Sequence, residues 1–296
     1  MEKLASIMVV AERNGGDVAL RKACILARHF GSKIELFNCD AEHAYELGHL
    51  YDRRGAEGAR QTCLADARRY LQTLRSSVAA DDIAIDIKVA CESPAYEGIV
   101  RHARDTAPNL VVRDAGDIGG RGTARDTTNW HLIRTCPAPL LLTRGRSWHA
   151  VPRFAATVDV SDDQPPGLAR LIAHTAAYLQ LGCGATLDLV YSELHGADAA
   201  ASACRALQGL AREFRVEPER IHRLQGAPEV TLPRFLTDQD YDVLFLGALT
   251  HRKGYTTLVG SLTERLLERL ACDLVVIKPS PISPQLLERP PRVAAP

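Results

Sequence analysis

The chain has 296 residues, 46% hydrophobic and 24% charged, with 36 basic residues against 36 acidic ones. That length exceeds one average domain and falls short of three, and the composition is that of an ordinary soluble globular protein. A formal net charge of zero argues against a general nucleic-acid binder, which carries a basic excess to neutralise phosphates.

In chain order, LASIMVV reads as a first strand. Its apolar run is short and no basic segment precedes it, so a secretory leader is not expected. A helical run, VALRKACILARHF, follows and places Leu20, Ala23, Cys24 and Ala27 on one face. SKIELF reads as a strand, residues 57 to 78 as a long polar helix, and IAIDIKV as a strand. Ser93-Pro94 has the chemistry of a helix cap followed by a first-turn proline, ahead of PAYEGIVRHARD. NLVV, TTNWHLIRT and PAPLLLT complete the first half. Trp130 and His131 are expected on a helix face against the sheet.

The second half repeats the order. RFAATVDV is followed by GLARLIAHTAAYL, whose apolar face carries Leu168, Leu171, Ile172, Thr175 and Leu179. ATLDLVY, a helix from Ser202 to Phe214, RIHRL, EVTLPRFLTD, DVLFLG, SLTERLLERL and DLVVIK follow, with Ser261 and Glu264 in capping-box spacing. Both halves read β-α-β-α-β-α-β-α-β, which predicts an α/β fold: two units, each with a five-stranded, mainly parallel sheet flanked by helices. The expected units are 1–146 and 152–279, packed as an intrachain pseudo-dimer. Residues 280–296 are expected to form a proline-rich extended tail. Cys136 and Cys272 both precede the last strand of their unit.

Several chemistries find no support. The eight cysteines contain no C-x-x-C pair and read as free thiols of a cytoplasmic protein. Cys39, His43 and His49 lie close in sequence, but not at a common zinc spacing, so no metal is predicted. No apolar run approaches the ~18 residues of a membrane span. G-x-S-x-G, Walker A and H-E-x-x-H patterns are absent, and no catalytic residue is assigned. Asp162 and Asp163 read as solvated turn acids. The segment from Ala41 to Gly55 reads equally as a lid or a connection.

The duplicated order, the opening ATVDVSDD of the second half and the segment DVLFLGALTHRKGYTTLVGSLTERLLERLACDLVVIK are similar to tandem universal stress proteins of the E type. The resemblance covers nearly all of residues 4 to 278. It implies two Rossmann-like units of the adenine-nucleotide α-hydrolase type. ATP-binding members carry Gly-x2-Gly-x9-Gly-Ser/Thr after the fourth strand and an aspartate after the first. Here Gly247, Gly260, Ser261 and Asp159 match that pattern. Thr250 replaces the second glycine, with Gly254 a substitute turn and Arg252 and Lys253 a source of charge. Glycines in such a loop let backbone N–H groups approach phosphate oxygens.

The first unit departs further. Ala11 or Glu12 stands near the aspartate position, and Asp114 and Asp117 face the place of a phosphate, so no ATP is expected there. The resemblance therefore implies a stress-response protein whose second unit binds ATP or another small molecule in a regulatory role. A scaffold for an apolar ligand or partner protein and a weak ATPase are the alternatives. A homodimer is compatible with either.

Overall fold

The computed structural model describes residues 3–12, 15–39, 53–78, 80–116, 127–160, 167–193, 197–248 and 269–278. The first unit runs β1 (Ser6–Val10), α1 (Asp17–Phe30), β2 (Lys33–Cys39), α2 (Arg53–Ser76), β3 (Ile85–Ala90), α3 (Ala95–Thr106), β4 (Leu110–Asp114), α4 (Thr127–Thr135) and β5 (Leu140–Thr143). The second runs β6 (Arg153–Thr157), α5 (Leu168–Cys183), β7 (Thr186–Glu193), α6 (Ala197–Phe214), a 3-10 turn (Pro218–Arg220), β8 (Ile221–Gln225), α7 (Pro228–Gln239), β9 (Val243–Gly247) and β10 (Asp273–Ile277).

These ten strands form one sheet in the order β3-β2-β1-β4-β5-β10-β9-β6-β7-β8. Every pairing is parallel except the central one, β5 with β10. Read outward from that centre, both halves follow the same order. The predicted five-stranded units are present, but they share a sheet instead of packing as two. The reason lies in the last strands: LLLT and DLVVI are buried throughout, and pairing them removes two edges with unsatisfied backbone groups.

Matching hydrogen bonds fix the correspondence between halves. Lys33 N–H donates to Ala5 O at 3.0 Å and Thr186 N–H to Pro152 O at 2.8 Å. Ala11 N–H donates to Phe37 O at 2.9 Å and Val158 N–H to Val190 O at 3.0 Å. Ala115 N–H donates to Thr143 O at 2.9 Å and Ala248 N–H to Ile277 O at 2.8 Å. By this register Leu140 and Leu274 are equivalent, so Cys136 and Cys272, which both precede the last strand of their unit as expected, stand at different positions before it. A correction concerns α3, whose cap residue is Pro94 in extended conformation and carries no side-chain cap bond; Ser93 does not cap it.

Apolar residues fill both faces of the sheet. One core lies under α1, α2, α5 and α6, the other under α3, α4 and α7. The predicted face of α1 (Leu20, Ala23, Cys24, Ala27) is buried, and so are Leu168, Ile172, Thr175 and Leu179 of α5, with Leu171 half-buried. Both helices end on a left-handed glycine, Gly31 and Gly184, whose N–H bonds back into the last turn. α1 and α5 meet through stacked Phe30 and Tyr178, with ring centroids 5.0 Å apart. Gly182 makes this contact possible, because a Cβ there would lie 2.0 Å from Phe30 Cζ. Trp130 packs against the second core, and His131 stacks on Tyr96 at 3.7 Å.

Charged groups also join the halves. Lys22 Nζ on α1 donates to both Asp273 carboxylate oxygens, at 2.7 and 2.6 Å, and to Arg144 O at 2.8 Å. Arg144 N–H and Trp148 Nε1–H donate to the same carboxylate, each at 2.7 Å. Asp242 holds the rest of the connection, accepting from His149 N–H at 3.1 Å and Arg153 N–H at 2.8 Å.

Lys278, just past β10, donates to Leu132 O of α4 at 3.0 Å. Burial pushes its pKa down from 10.5 to about 8, with Cys136 pulling weakly the other way. The folded chain therefore releases this proton earlier than the unfolded chain does. Stability from this group is lowest below pH 8, where both states are charged, and rises between pH 8 and 10.5. Lys278→Met is expected to remove a rise of about 1–3 kcal/mol over that window, measured as urea-unfolding free energy against pH. Parallel profiles for the two proteins would show that this ammonium is solvated.

Candidate functional site

In an open α/β sheet, ligands bind beyond the carboxyl ends of the strands, where the connections diverge to opposite sides. In the second unit that point lies at β6, which pairs with β7 on one side and β9 on the other. A cavity opens there. Thr157, Val158 and Asp159 line it from the end of β6, Tyr191 and Ser192 from β7, and Leu246 and Gly247 from β9. Leu168 and Ile172 of α5, with Leu232 of α7, close its apolar walls.

The cavity measures about 100 Å³. That is below the ~300–1,000 Å³ of pockets that enclose a drug-sized ligand. It has room for one compact apolar or planar group, with the remainder of any larger ligand lying outside it.

The polar groups sit on its rim. Asp159 is exposed. Thr157 Oγ1 donates to Phe245 O at 3.0 Å, and Ser192 Oγ bonds Gly226 O and Thr231 Oγ1, each at 2.8 Å. Gly247 has a packing reason of its own. A Cβ at this position would stand 2.9 Å from Leu168 Cδ2 and 3.1 Å from Ile172 Cδ1. Its glycine lets the first turn of α5 settle over the end of β9.

Of the residues singled out from sequence, Asp159 and Gly247 come together in this cavity. Thr250, Arg252, Lys253, Gly254, Gly260 and Ser261 lie outside the described residues, as do His43, His49, Asp117, Asp162, Asp163 and the capping-box Glu264. Sequence reasoning missed Leu168, Tyr191 and Leu232. The usable signal was positional: Tyr191 falls near the end of the strand beside β6, where a side chain reaches the crevice.

The equivalent strand ends of the first unit are built differently. By register, Glu12 takes the place of Asp159, Asn38 that of Tyr191, Arg113 that of Leu246 and Asp114 that of Gly247. Arg113 is buried, and its guanidinium donates to Asn129 Oδ1 and to the Glu12 carboxylate. Asp114 accepts from Gly16 N–H at the start of α1, at 3.1 Å, and from Thr143 Oγ1 at 2.8 Å. Burial raises its pKa, and these donors oppose the rise. Tyr70 OH adds a bond to Gly15 O at 2.7 Å. An internal carboxylate thus occupies the helix N-terminus that a phosphate would use. At the matching start of α5, Gly167 is the cap residue and Gly247 contributes no side chain.

Other chemistries are not assembled. Among the described residues, no group of three or more His, Cys, Asp or Glu side chains is placed to hold a metal, and no helix is long and apolar enough to cross a membrane. None of the eight cysteines is paired in a disulfide. Burial pushes the Cys183 and Cys272 thiols up to about 12, which keeps them protonated and unreactive near neutrality.

Residues 164–278 match the profile of the universal stress protein family. Universal stress protein E of Salmonella typhi is 24% identical over 301 aligned residues, covering 94% of this chain and 96% of that protein. The Haemophilus influenzae universal stress protein E homolog is 22% identical, with 80% and 84% covered. A functionally unknown protein from Pseudomonas aeruginosa PAO1 has a similar structure, with a TM-score of 0.71, 22% identity and 94% of both chains covered. A universal stress protein from Archaeoglobus fulgidus superposes with a TM-score of 0.67 at 12% identity, covering 93% of this chain and 97% of that one. At these identities the structural likeness establishes the fold alone.

Proposed function

Because the chain is a tandem-domain member of the universal stress protein family, similar along its length to universal stress protein E, we propose that it is a cytoplasmic regulatory protein. Its second unit binds an adenine nucleotide or a similar compact ligand. The observation that carries this reading is the asymmetry of the two switch points. The second keeps an apolar cavity with Asp159 on its rim, while the first is filled by its own Glu12–Arg113–Asn129 contacts. A planar base suits a slot walled by Leu168, Ile172, Leu232 and Leu246, and Asp159 is in place to accept from a ribose or base donor. Free thiols accord with a reducing compartment.

The phosphates are assigned to the segment after Gly247. Calorimetry of the intact chain with ATP tests this. Binding is expected at modest affinity, strengthened about tenfold by Thr250→Gly, which restores turn freedom, and abolished by Gly260→Val, whose side chain takes phosphate space. The wall chemistry also favours a second reading, a wholly apolar ligand. No heat with ATP from either the intact chain or Thr250→Gly would select it.

A further inference from the structure

We propose that the hollow between α6 and β8, at the far edge of the sheet, is a second ligand site, built for an aliphatic monocarboxylate. It measures about 420 Å³, within the ~300–1,000 Å³ of small-molecule pockets. It shares no lining residue with the switch-point cavity. Alternation along β8 turns Ile221 and Arg223 toward α6, while His222 turns to Asp188 on the other face.

The floor is apolar. Leu207 and Ala211 of α6 are buried, and Val216 and Ile221 pack against the same core. Cys204, Gln208 and Arg212 follow at i, i+4 and i+8, so they form a helix wall about 12 Å long. That length suits an extended hydrocarbon chain.

Charge selects the head group. Arg212 stands on the helix wall and Arg223 on the strand wall, both exposed. Arg212 Nε donates to Gln208 O at 3.3 Å, which lays its stem along the helix. No Asp or Glu lines the hollow. Glu213 is committed to Arg170 at 2.7 Å, and Glu217 and Glu219 are exposed on either side of Pro218. A carboxylate on the apolar floor therefore meets guanidinium donors and no like charge. The corresponding corner of the first unit, where α2 turns into β3, holds a hollow of about 440 Å³, but Asp81 lines it beside Arg75 and opposes an anion. A small molecule fits this edge better than an added peptide strand, because β8 is five residues long and the charge of Arg223 resists strand pairing.

The test is calorimetry of the full chain with decanoate, below the concentration at which it forms micelles. One site is expected, and decanol, the neutral isostere, should bind at least about tenfold more weakly. Arg212→Gln with Arg223→Gln should weaken decanoate about tenfold or more and leave decanol unchanged. Leu246→Arg, in the other cavity, should leave decanoate binding unchanged. Cys204 gives an independent readout: decanoate should slow its alkylation and not that of Cys91, the other half-buried thiol. Unfolding midpoints verify that the variants fold. No decanoate heat and no protection of Cys204 would overturn the proposal. Binding lost in Leu246→Arg and kept in the double arginine variant would overturn it by placing the chain at the switch point. Equal affinities for decanoate and decanol, indifferent to the arginines, would reduce the site to unspecific apolar partition and overturn it as well.

Discussion

Asp273→Ala is expected to destabilise the folded chain by about 3–5 kcal/mol, the range for removing one partner of a buried ion pair. The carboxylate is the common acceptor for three donors from the first half and the connection: Lys22 Nζ, Arg144 N–H and Trp148 Nε1–H. Lys22 and Asp273 side chains are only 6% and 1% exposed, so water cannot take over their bonds without structural opening. Removing the acid leaves an ammonium with one backbone carbonyl, and two further donors without their acceptor.

The reverse truncation is milder. In Lys22→Met the carboxylate keeps Arg144 N–H and Trp148 Nε1–H, and burial already pushes its pKa up, so protonation relieves part of the cost. Replacing both, as Lys22→Met with Asp273→Leu, should recover much of the loss, because two matched apolar groups avoid desolvation. Urea unfolding at pH 7 measures all three. Losses below about 1 kcal/mol for Asp273→Ala would mean that the cluster is hydrated and does not tie the halves together.

Much of this architecture was legible because each element obeys a short-range rule. The spacing of Leu20, Ala23, Cys24 and Ala27 marks a helix face, and it is buried. Runs such as NLVV and DVLF mark interior parallel strands. The joined sheet was not legible, since β5 and β10 are buried apolar strands whether their edges meet each other or something else. Register, too, is invisible to composition: Cys136 and Cys272 each precede the last strand of their unit, yet only the pairing with β4 and β9 shows that they stand at different positions. At the cavity, Asp159 and Gly247 had been singled out only by resemblance to the family's strand-end aspartate and glycine loop. The cavity walls were not, because Leu168 and Leu232 look like any core leucine until two helices bring them to the same strand ends. The occupancy of the first unit was half readable. Its acids were visible in sequence, but the Arg113 partner of Glu12 lies 101 residues away.

That occupancy supplies the strongest test of the binding assignment. Leu246 holds in the second unit the position that Arg113 holds in the first. Leu246→Arg would place a long cation at the end of β9, beside a cavity whose rim carries Asp159. Asp159 is the register counterpart of Glu12, so the new guanidinium has an acceptor and the pair reproduces the contact that fills the first unit. The side chain then occupies the apolar slot and replaces hydrocarbon wall with charge. Ligand affinity in the second unit is expected to fall at least about 100-fold, or ~2.7 kcal/mol. An Asp159→Asn control removes the new partner without refilling the slot, and in the parent protein should weaken binding only several-fold. If Leu246→Arg folds with an unchanged unfolding midpoint and still binds as the parent does, the ligand does not use this cavity and the assignment to the β6–β9 switch point fails.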